Sequence, residues 1–462
     1  MTTPGLPTRD VTRDAAPALA QRLGLFDVSM IVMGGIIGSG IFMNPSVVAR
    51  LVHTPSLMLG AWALGGAIAL LGAFVYAELA ARRPQVGGQY AYLHEAYHPM
   101  LAFIYGWTLL LVVQTGGMAA SAITFARYFL DLAHLPLADW VVAVLALGGL
   151  TAINCLGVRA GGTVQNVFMV LKVLAIVTLI ACGLVVSGAA APADPVAGPL
   201  DRAPSLDLLT AFGAAMVPVL FAYGGWQTAS FIAGEVREPR RTLPRGILLG
   251  VPAVIVLYLG VNWVCIRVLG PAGLAQTSTP ASEVMRAALG EPGARLIAAG
   301  IALSTLGFLS QCMLTAPRVY YAMAGDGLFF RGVARVHPRT RVPVAAIALQ
   351  GVLAAVIAVS GRYEQILNYV VSADWIFFGL SASCLFALRR RDARAGAAST
   401  GTTVPGHPWT TGAFVVVSAL IVANTLYKYP ANSLIGLAIM LAGVPVYSVW
   451  RRGGPGPRVP SR

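Results

Sequence analysis

Charge is what this chain has least of. Of its 462 residues only 11% are charged, against about 25% in an ordinary soluble domain. Hydrophobic residues make up 57% and the mean hydropathy is +0.74. A soluble fold needs a polar exterior that this composition does not supply, and so apolar a chain is not disordered as a whole. Lysine is scarcer still: Lys172 and Lys428 are the only two among 32 basic residues, the rest being arginine. Cysteine is limited to Cys155, Cys182, Cys265, Cys312 and Cys384, all in apolar runs and none closely paired. That spacing excludes a disulfide framework and a cysteine metal motif, and the thiols read as reduced, packed side chains. The first residues lack an apolar core and are rich in Thr, Pro, Ala and Arg. Residues 1–22 are therefore expected to form a short disordered cytoplasmic tail rather than a signal peptide.

What the chain does have is membrane-length apolar runs. Crossing the hydrocarbon core takes about 20 apolar residues, and twelve segments qualify: 26–51, 56–80, 99–130, 138–157, 164–187, 206–235, 247–269, 294–323, 343–360, 366–388, 410–427 and 431–450. An even number puts both termini on one side. The net charge of +14 would suggest nucleic acid in a soluble protein, but inner loops of membrane proteins collect arginine and lysine. With a cytoplasmic N-terminus, 23 basic residues fall inside and eight outside, and Lys172 lies in midspan. This asymmetry accounts for the excess, so no nucleic-acid partner is expected. The longest connections, 188–205, 270–293 and 389–409, are too short for a separate soluble domain. The expected fold is an all-α polytopic membrane protein of twelve transmembrane helices in the lipid bilayer. One domain covers 23–450, with a second cytoplasmic tail at 451–462.

Two spans carry glycine clusters at midspan: Gly34-Gly35-Ile36-Ile37-Gly38-Ser39-Gly40-Ile41-Phe42 in the first, and Phe221-Ala222-Tyr223-Gly224-Gly225-Trp226 in the sixth. Glycine weakens a helix and lets a ligand approach the backbone. Free backbone groups at membrane depth are tolerated only inside protein or along a cavity. Small residues also serve plain helix packing, which would explain one cluster alone. Two clusters at the first helix of each five-helix half point instead to a transporter's binding site.

These residues resemble the opening and sixth helix of amino acid permeases. The family belongs to the amino acid–polyamine–organocation superfamily, and the likeness is closest to its L-type amino acid transporter branch. Leu23-Gly24-Leu25-Phe26-Asp27 precedes the first cluster, Pro84-Gln85-Val86-Gly87-Gly88-Gln89-Tyr90 resembles the first inner loop, and Glu235-Val236-Arg237-Glu238-Pro239 resembles the exit of helix six. Ala324-Gly325-Asp326-Gly327-Leu328 and Val404-Pro405-Gly406-His407-Pro408 continue the order, so the likeness runs from about 23 to 450. It implies a LeuT-type fold with alternating access. Inverted repeats would cover about 26–187 and 206–388, with two additional helices at about 410–450.

A zwitterionic amino acid needs donors for its carboxylate and acceptors for its ammonium, and broken helix ends offer both. Carried over from the family, the carboxylate is expected at the amides of Ser39, Gly40 and Ile41, and the ammonium at the carbonyls of Ile36, Phe221, Ala222 and Gly224. Phe221 is expected to close over the substrate. Trp226 and Gln227 line or support the side-chain pocket, with ordinary core packing an equal reading for Trp226. Lys172 sits in the middle of span five, where an ionisable group is a functional candidate by default. In family members that work without sodium a lysine here stands where relatives bind the ion. It is expected to bridge span-one carbonyls near Gly34 and Gly35 with Ser304. Asp374 in span ten could accept a hydrogen bond, attract a cationic substrate, take up a proton, or serve only as a structural carboxylate. Glu78 and Glu235 are expected to pair with arginines as an inner gate or to sit at headgroup level.

His94-Glu95-Ala96-Tyr97-His98 spells a zincin motif, and an intramembrane zinc protease is the reading from another class. Pro99 follows at once and breaks the helix the motif requires, and no third ligand is evident, so no metal is expected. The sequence thus points to a secondary transporter of the inner (plasma) membrane. Neutral L-amino acids are the expected substrates, moved by sodium-independent exchange or proton-linked uptake. A cationic amino acid or polyamine, with Asp374 as counter-charge, is the alternative. No cofactor and no disulfide-linked accessory subunit are expected, since loop 131–137 has no cysteine, and the protein is expected to be a monomer or weak homodimer.

Overall fold

The computed structural model of the chain describes residues 19–189, 206–360, 363–396, 401–428 and 430–453. Most of both expected tails and of the connection 188–205 lies outside them. The described backbone is helical almost throughout, as burial in hydrocarbon demands of polar backbone groups. Its one isolated bridge pairs Leu23 with Val236 in parallel.

The first span is two helices, α1 (Leu25–Ile36) and α2 (Gly40–Val52), and α3 (Pro55–Arg82) returns. A short helix, α4 (Gln89–Ala96), occupies the first connection. The third span joins α5 (Pro99–Thr108), a π-helical turn (Leu109–Gln114) and α6 (Thr115–Ala133). Then come α7 (Asp139–Cys155) and α8 (Val158–Ala189). The sixth span is again divided, into α9 (Leu206–Tyr223) and a 3-10 segment (Trp226–Glu235). The remaining helices are α10 (Pro239–Gln276), α11 (Pro280–Thr315), α12 (Pro317–Gly325), α13 (Val344–Val359), α14 (Tyr363–Arg394), α15 (Trp409–Lys428) and α16 (Pro430–Gly453). Nine helical stretches among the described residues are long and apolar enough to cross a membrane, and the chain is a multi-pass membrane protein. Each of the twelve apolar segments holds a helix.

One stretch differs from expectation. The connection 270–293 is largely helical: α10 continues past Gly270 (φ 66°) to Gln276, and α11 starts at Pro280 and bends at Gly290 (φ 68°). Gly270 and Gly290 leave helical geometry, so each helix is divided by a kink, and the proline that follows sits near the start of the new segment, where its missing donor is tolerated.

The broken spans cross at the centre of the bundle. The half α1 packs on the 3-10 segment, and α2 packs on α9; α10 runs along α3, and α11 along α8. At the crossing, backbone meets backbone. A Cβ on Gly35 would stand 2.7 Å from the Gly225 carbonyl, and one on Gly225 (φ 111°) would run into the Gly35 carbonyl. Only glycine permits this approach and this φ. Around it, α8 inverts the pattern of a soluble helix. Val167, Val170, Leu174 and Val177 are exposed, as suits a lipid-facing surface, whereas Gln165 and Lys172, two turns apart on the inner face, are fully buried.

Candidate functional site

The first break runs through Ile37, Gly38 and Ser39. Ile37 is extended (φ −77°, ψ 101°), and α2 restarts at Gly40. A new helix start leaves its first amides without helical partners. Phe42 N already donates to Ser39 O at 3.1 Å, so the amides of Ser39, Gly40 and Ile41 are the free ones. The second break follows Tyr223, where α9 ends with carbonyls pointing onward. Gly224 N turns back onto Phe221 O at 3.2 Å.

Between the breaks lies a cavity of about 160 Å³. Of the residues expected to bind substrate, Ile36, Ser39, Gly40, Phe221, Ala222, Gly224 and Gln227 line it. Ile41 and Trp226 do not. Ile41 is buried in the core, and Trp226 is fully buried edge-on to Tyr76 and packed against Phe378, which itself lines the cavity. Trp226 therefore supports a wall it does not form. Phe221 faces the cavity with 42% of its surface exposed. Asp374 also lines it, beside Trp375.

Lys172 and Ser304 meet the first break from behind. The ammonium donates to Ile37 O, and the Ser304 hydroxyl lies 3.5 Å from Gly38 O. This differs from the expected contact with Gly34 and Gly35. The Gln165 amide covers Gly34, and the Gly225 backbone covers Gly35. Neither Lys172 nor Ser304 lines the cavity itself.

Several residues escaped the sequence reading. The Tyr258 hydroxyl of α10 reaches Ile36 O at 3.0 Å and Ala222 O at 3.2 Å, joining carbonyls from both breaks. It can donate to one at a time, and each carbonyl keeps a second lone pair. Gln311 Nε2 donates to Thr228 Oγ1 at 2.5 Å, and Thr228 Oγ1 donates to Gly225 O at 2.7 Å, which fixes the second break. The π-helical turn brings Val113 and Gln114 to the cavity, with Thr115 Oγ1 bonding back to Leu110 O. Polar groups in midspan helices were the available clue to all of these.

The arginine-rich end is tied by ion pairs. Glu78, fully buried, accepts from Arg82 at 2.7 Å, from Arg389 at 2.5 and 2.8 Å, and from Val404 N at 2.6 Å. Asp392 takes Arg82 and Arg83, each at 2.7 Å. Burial works against the Asp392 charge, but the two guanidiniums outweigh it and hold this carboxyl below the usual range. Glu235 and Arg318 form a pair buried from solvent on both sides, and removing one partner of such a pair costs about 3–5 kcal/mol. Arg22 N and Leu23 N donate to Glu235 O, and Arg237 N donates to Leu23 O, so the lead-ins to α1 and α10 are laced together. Both glutamates thus pair with arginines.

The zincin motif does not assemble. The α4 helix ends at Ala96, and His98 caps α5, its Nδ1 accepting from Met100 N at 3.1 Å. Among the described residues no group of three metal-ligating side chains gathers.

Residues 23–450 match the amino acid permease family. The chain belongs to that family. It is a membrane transporter of amino acids and not an enzyme. The permease is 29% identical over 442 residues to the serine/threonine exchanger SteT of Bacillus subtilis, covering 93% of this chain and 96% of that one. It is 29% identical to the human b(0,+)-type amino acid transporter 1 over 80% of this chain and 77% of that one. It is 28% identical to the human large neutral amino acids transporter small subunit 2, over 93% and 80%. The last is named as a subunit, which bears on the expectation that this chain works without a linked accessory protein.

Proposed function

We propose that this permease exchanges neutral L-amino acids across the plasma membrane without sodium. The observation that carries the reading is the cavity wall itself: the first residues of α2, whose amides lack helical partners, line it together with the ends of α1 and α9, whose carbonyls each keep a lone pair. A carboxylate suits the first and an ammonium the second, so the backbone recognises the part common to all amino acids. Ile36, Ser39, Gly40, Phe221, Ala222 and Gly224 serve this recognition, with Gln227 toward the substrate side chain, Trp226 behind it and Phe221 as the gate. Lys172, with Ser304, supplies a resident cation at the break, removing the need for an external one. A serine/threonine exchanger and a large neutral amino acids transporter among the relatives agree with a neutral substrate and exchange.

The architecture in this reading is twelve crossings with cytoplasmic termini, a single domain over 23–450 and a LeuT-type inverted repeat. Its support is the crossed packing of α1 on the 3-10 segment and α2 on α9. The pairs at Glu78, Asp392 and Glu235 act as the inner gate of alternating access. The permease acts without a disulfide-linked partner, because the stretch between α6 and α7 contains no cysteine. A second reading, a cationic substrate, rests on one observation: Asp374 lines the cavity.

Proteoliposome uptake of a labelled amino acid panel tests this, with and without internal amino acid and with sodium and pH gradients imposed separately. Uptake of neutral amino acids that depends on internal amino acid is expected. Uptake that requires a sodium gradient would contradict the role of Lys172, and preference for lysine or a polyamine would favour the second reading.

A further inference from the structure

A second cavity, of about 290 Å³, lies at the start of α1, and three arginines line it: Arg22 before α1, Arg159 in the first turn of α8 and Arg237 before α10. Their side chains are bare. Among the described residues none of the three forms an ion pair or a side-chain hydrogen bond, whereas Arg82, Arg83, Arg318 and Arg389 are all paired. Asp27 is the one carboxylate on the wall, and both its oxygens are committed, to Gly24 N at 2.8 Å and Asn166 Nδ2 at 2.6 Å. Three positive charges therefore face one negative charge. Thr163 adds a hydroxyl to the same wall. Next along the chain, Leu25 and Phe26 are 39% and 58% exposed, an apolar surface beside a basic hollow.

We propose that this cavity holds the phosphate-bearing headgroup of an anionic phospholipid. Guanidinium groups bind phosphate oxygens in a two-pronged fashion, and basic pockets between helices on the cytoplasmic side recognise such headgroups. Leu25 and Phe26 give the acyl chains a surface that a free phosphate would not use. The headgroup ties α8 to the lead-ins of α1 and α10, whose backbones already meet through Leu23, Glu235 and Arg237. The inference rests on the charges of this cavity and not on the transport reading.

The test is thermal unfolding of the full-length protein in detergent, titrated with dioctanoyl phosphatidylglycerol, dioctanoyl phosphatidylcholine and inorganic phosphate. A ligand that binds only the folded state raises the midpoint with concentration. Phosphatidylglycerol is expected to raise it at lower concentration than phosphate, and phosphatidylcholine to leave it unchanged. The double variant Arg159→Gln/Arg237→Gln should lose the response, and Arg159→Lys/Arg237→Lys should keep part of it. Should the first double variant not fold, Arg22→Gln alone must weaken the response. Equal shifts in wild type and glutamine variants, a shift with phosphatidylcholine as large as with phosphatidylglycerol, or no shift overturns the site. Phosphate acting at the same concentrations as phosphatidylglycerol overturns the lipid and leaves a soluble anion.

Discussion

Lys172 supports the first helix break without touching the cavity. Its ammonium is held by the Ile37 carbonyl in a fully buried setting, and a bond to a charged group is worth roughly 1.5–3 kcal/mol. Lys172→Ala removes one hydrogen bond from a large packed bundle and should leave the protein folded, but should lower transport by about ten- to a hundred-fold. Wild-type uptake rates in monodisperse variant protein would refute this role. Tyr258 invites a similar experiment. Its ring packs on Trp62 and Tyr223 while its hydroxyl reaches both breaks. Tyr258→Phe keeps the packing and deletes only the donor, so a roughly ten-fold slower exchange at nearly unchanged melting temperature is expected. An unaltered rate would show that the two carbonyls need no such tie. The midspan hydroxyl of Tyr258 was visible in the sequence, but its role was not, because its partners lie 222 and 36 residues away. Lys172 was legible because a lone charge in a span has no bland explanation. Its partner is Ile37 and not Gly34 or Gly35, since only the folded break shows which carbonyl the side chain reaches.

At the scale of the element, the two breaks depend on each other. Gly35 and Gly225 touch through their backbones, so the α1–α2 and α9 ends cannot move independently at that point. Gly225→Ala adds a methyl group against the Gly35 carbonyl and demands φ of 111°, a conformation that costs an L-residue about 1–2 kcal/mol before any clash. The variant should unfold at clearly lower temperature and lose transport. Gly148→Ala in α7, where a Cβ meets nothing within 4 Å, should change neither. Equal behaviour of the two variants, measured by size-exclusion profile and uptake, would sink the idea. The breaks could be found in sequence because the glycines recur at matching places in two halves. The bends at Gly270 and Gly290 could not be told from loops, since glycine and proline together announce a change of direction and not its extent. The facing of Trp226 was equally hidden: at a break the helical period no longer says which neighbour points inward.

For the whole molecule, the charge pattern and the cavity describe one machine. Nearly all of the apolar content faces lipid or fills the core, and the polar centre is built mainly from main-chain groups at helix ends. The arginine-rich end is tied by Glu78, Asp392 and Glu235 with their arginines. The multi-pass character and the transporter class were readable from composition and glycine placement. The partners of Glu78 and Glu235 were only partly so, because Arg389 and Arg318 come from helices distant in sequence. The central claim is that the backbone of the two breaks grips both ends of a free amino acid. Thermal stabilisation of the purified protein by one transported neutral L-amino acid, its carboxamide and its N-acetyl derivative tests that claim most directly. A shift with the amino acid alone is expected, because each derivative lacks one of the two charges. An equal shift with either derivative would contradict it.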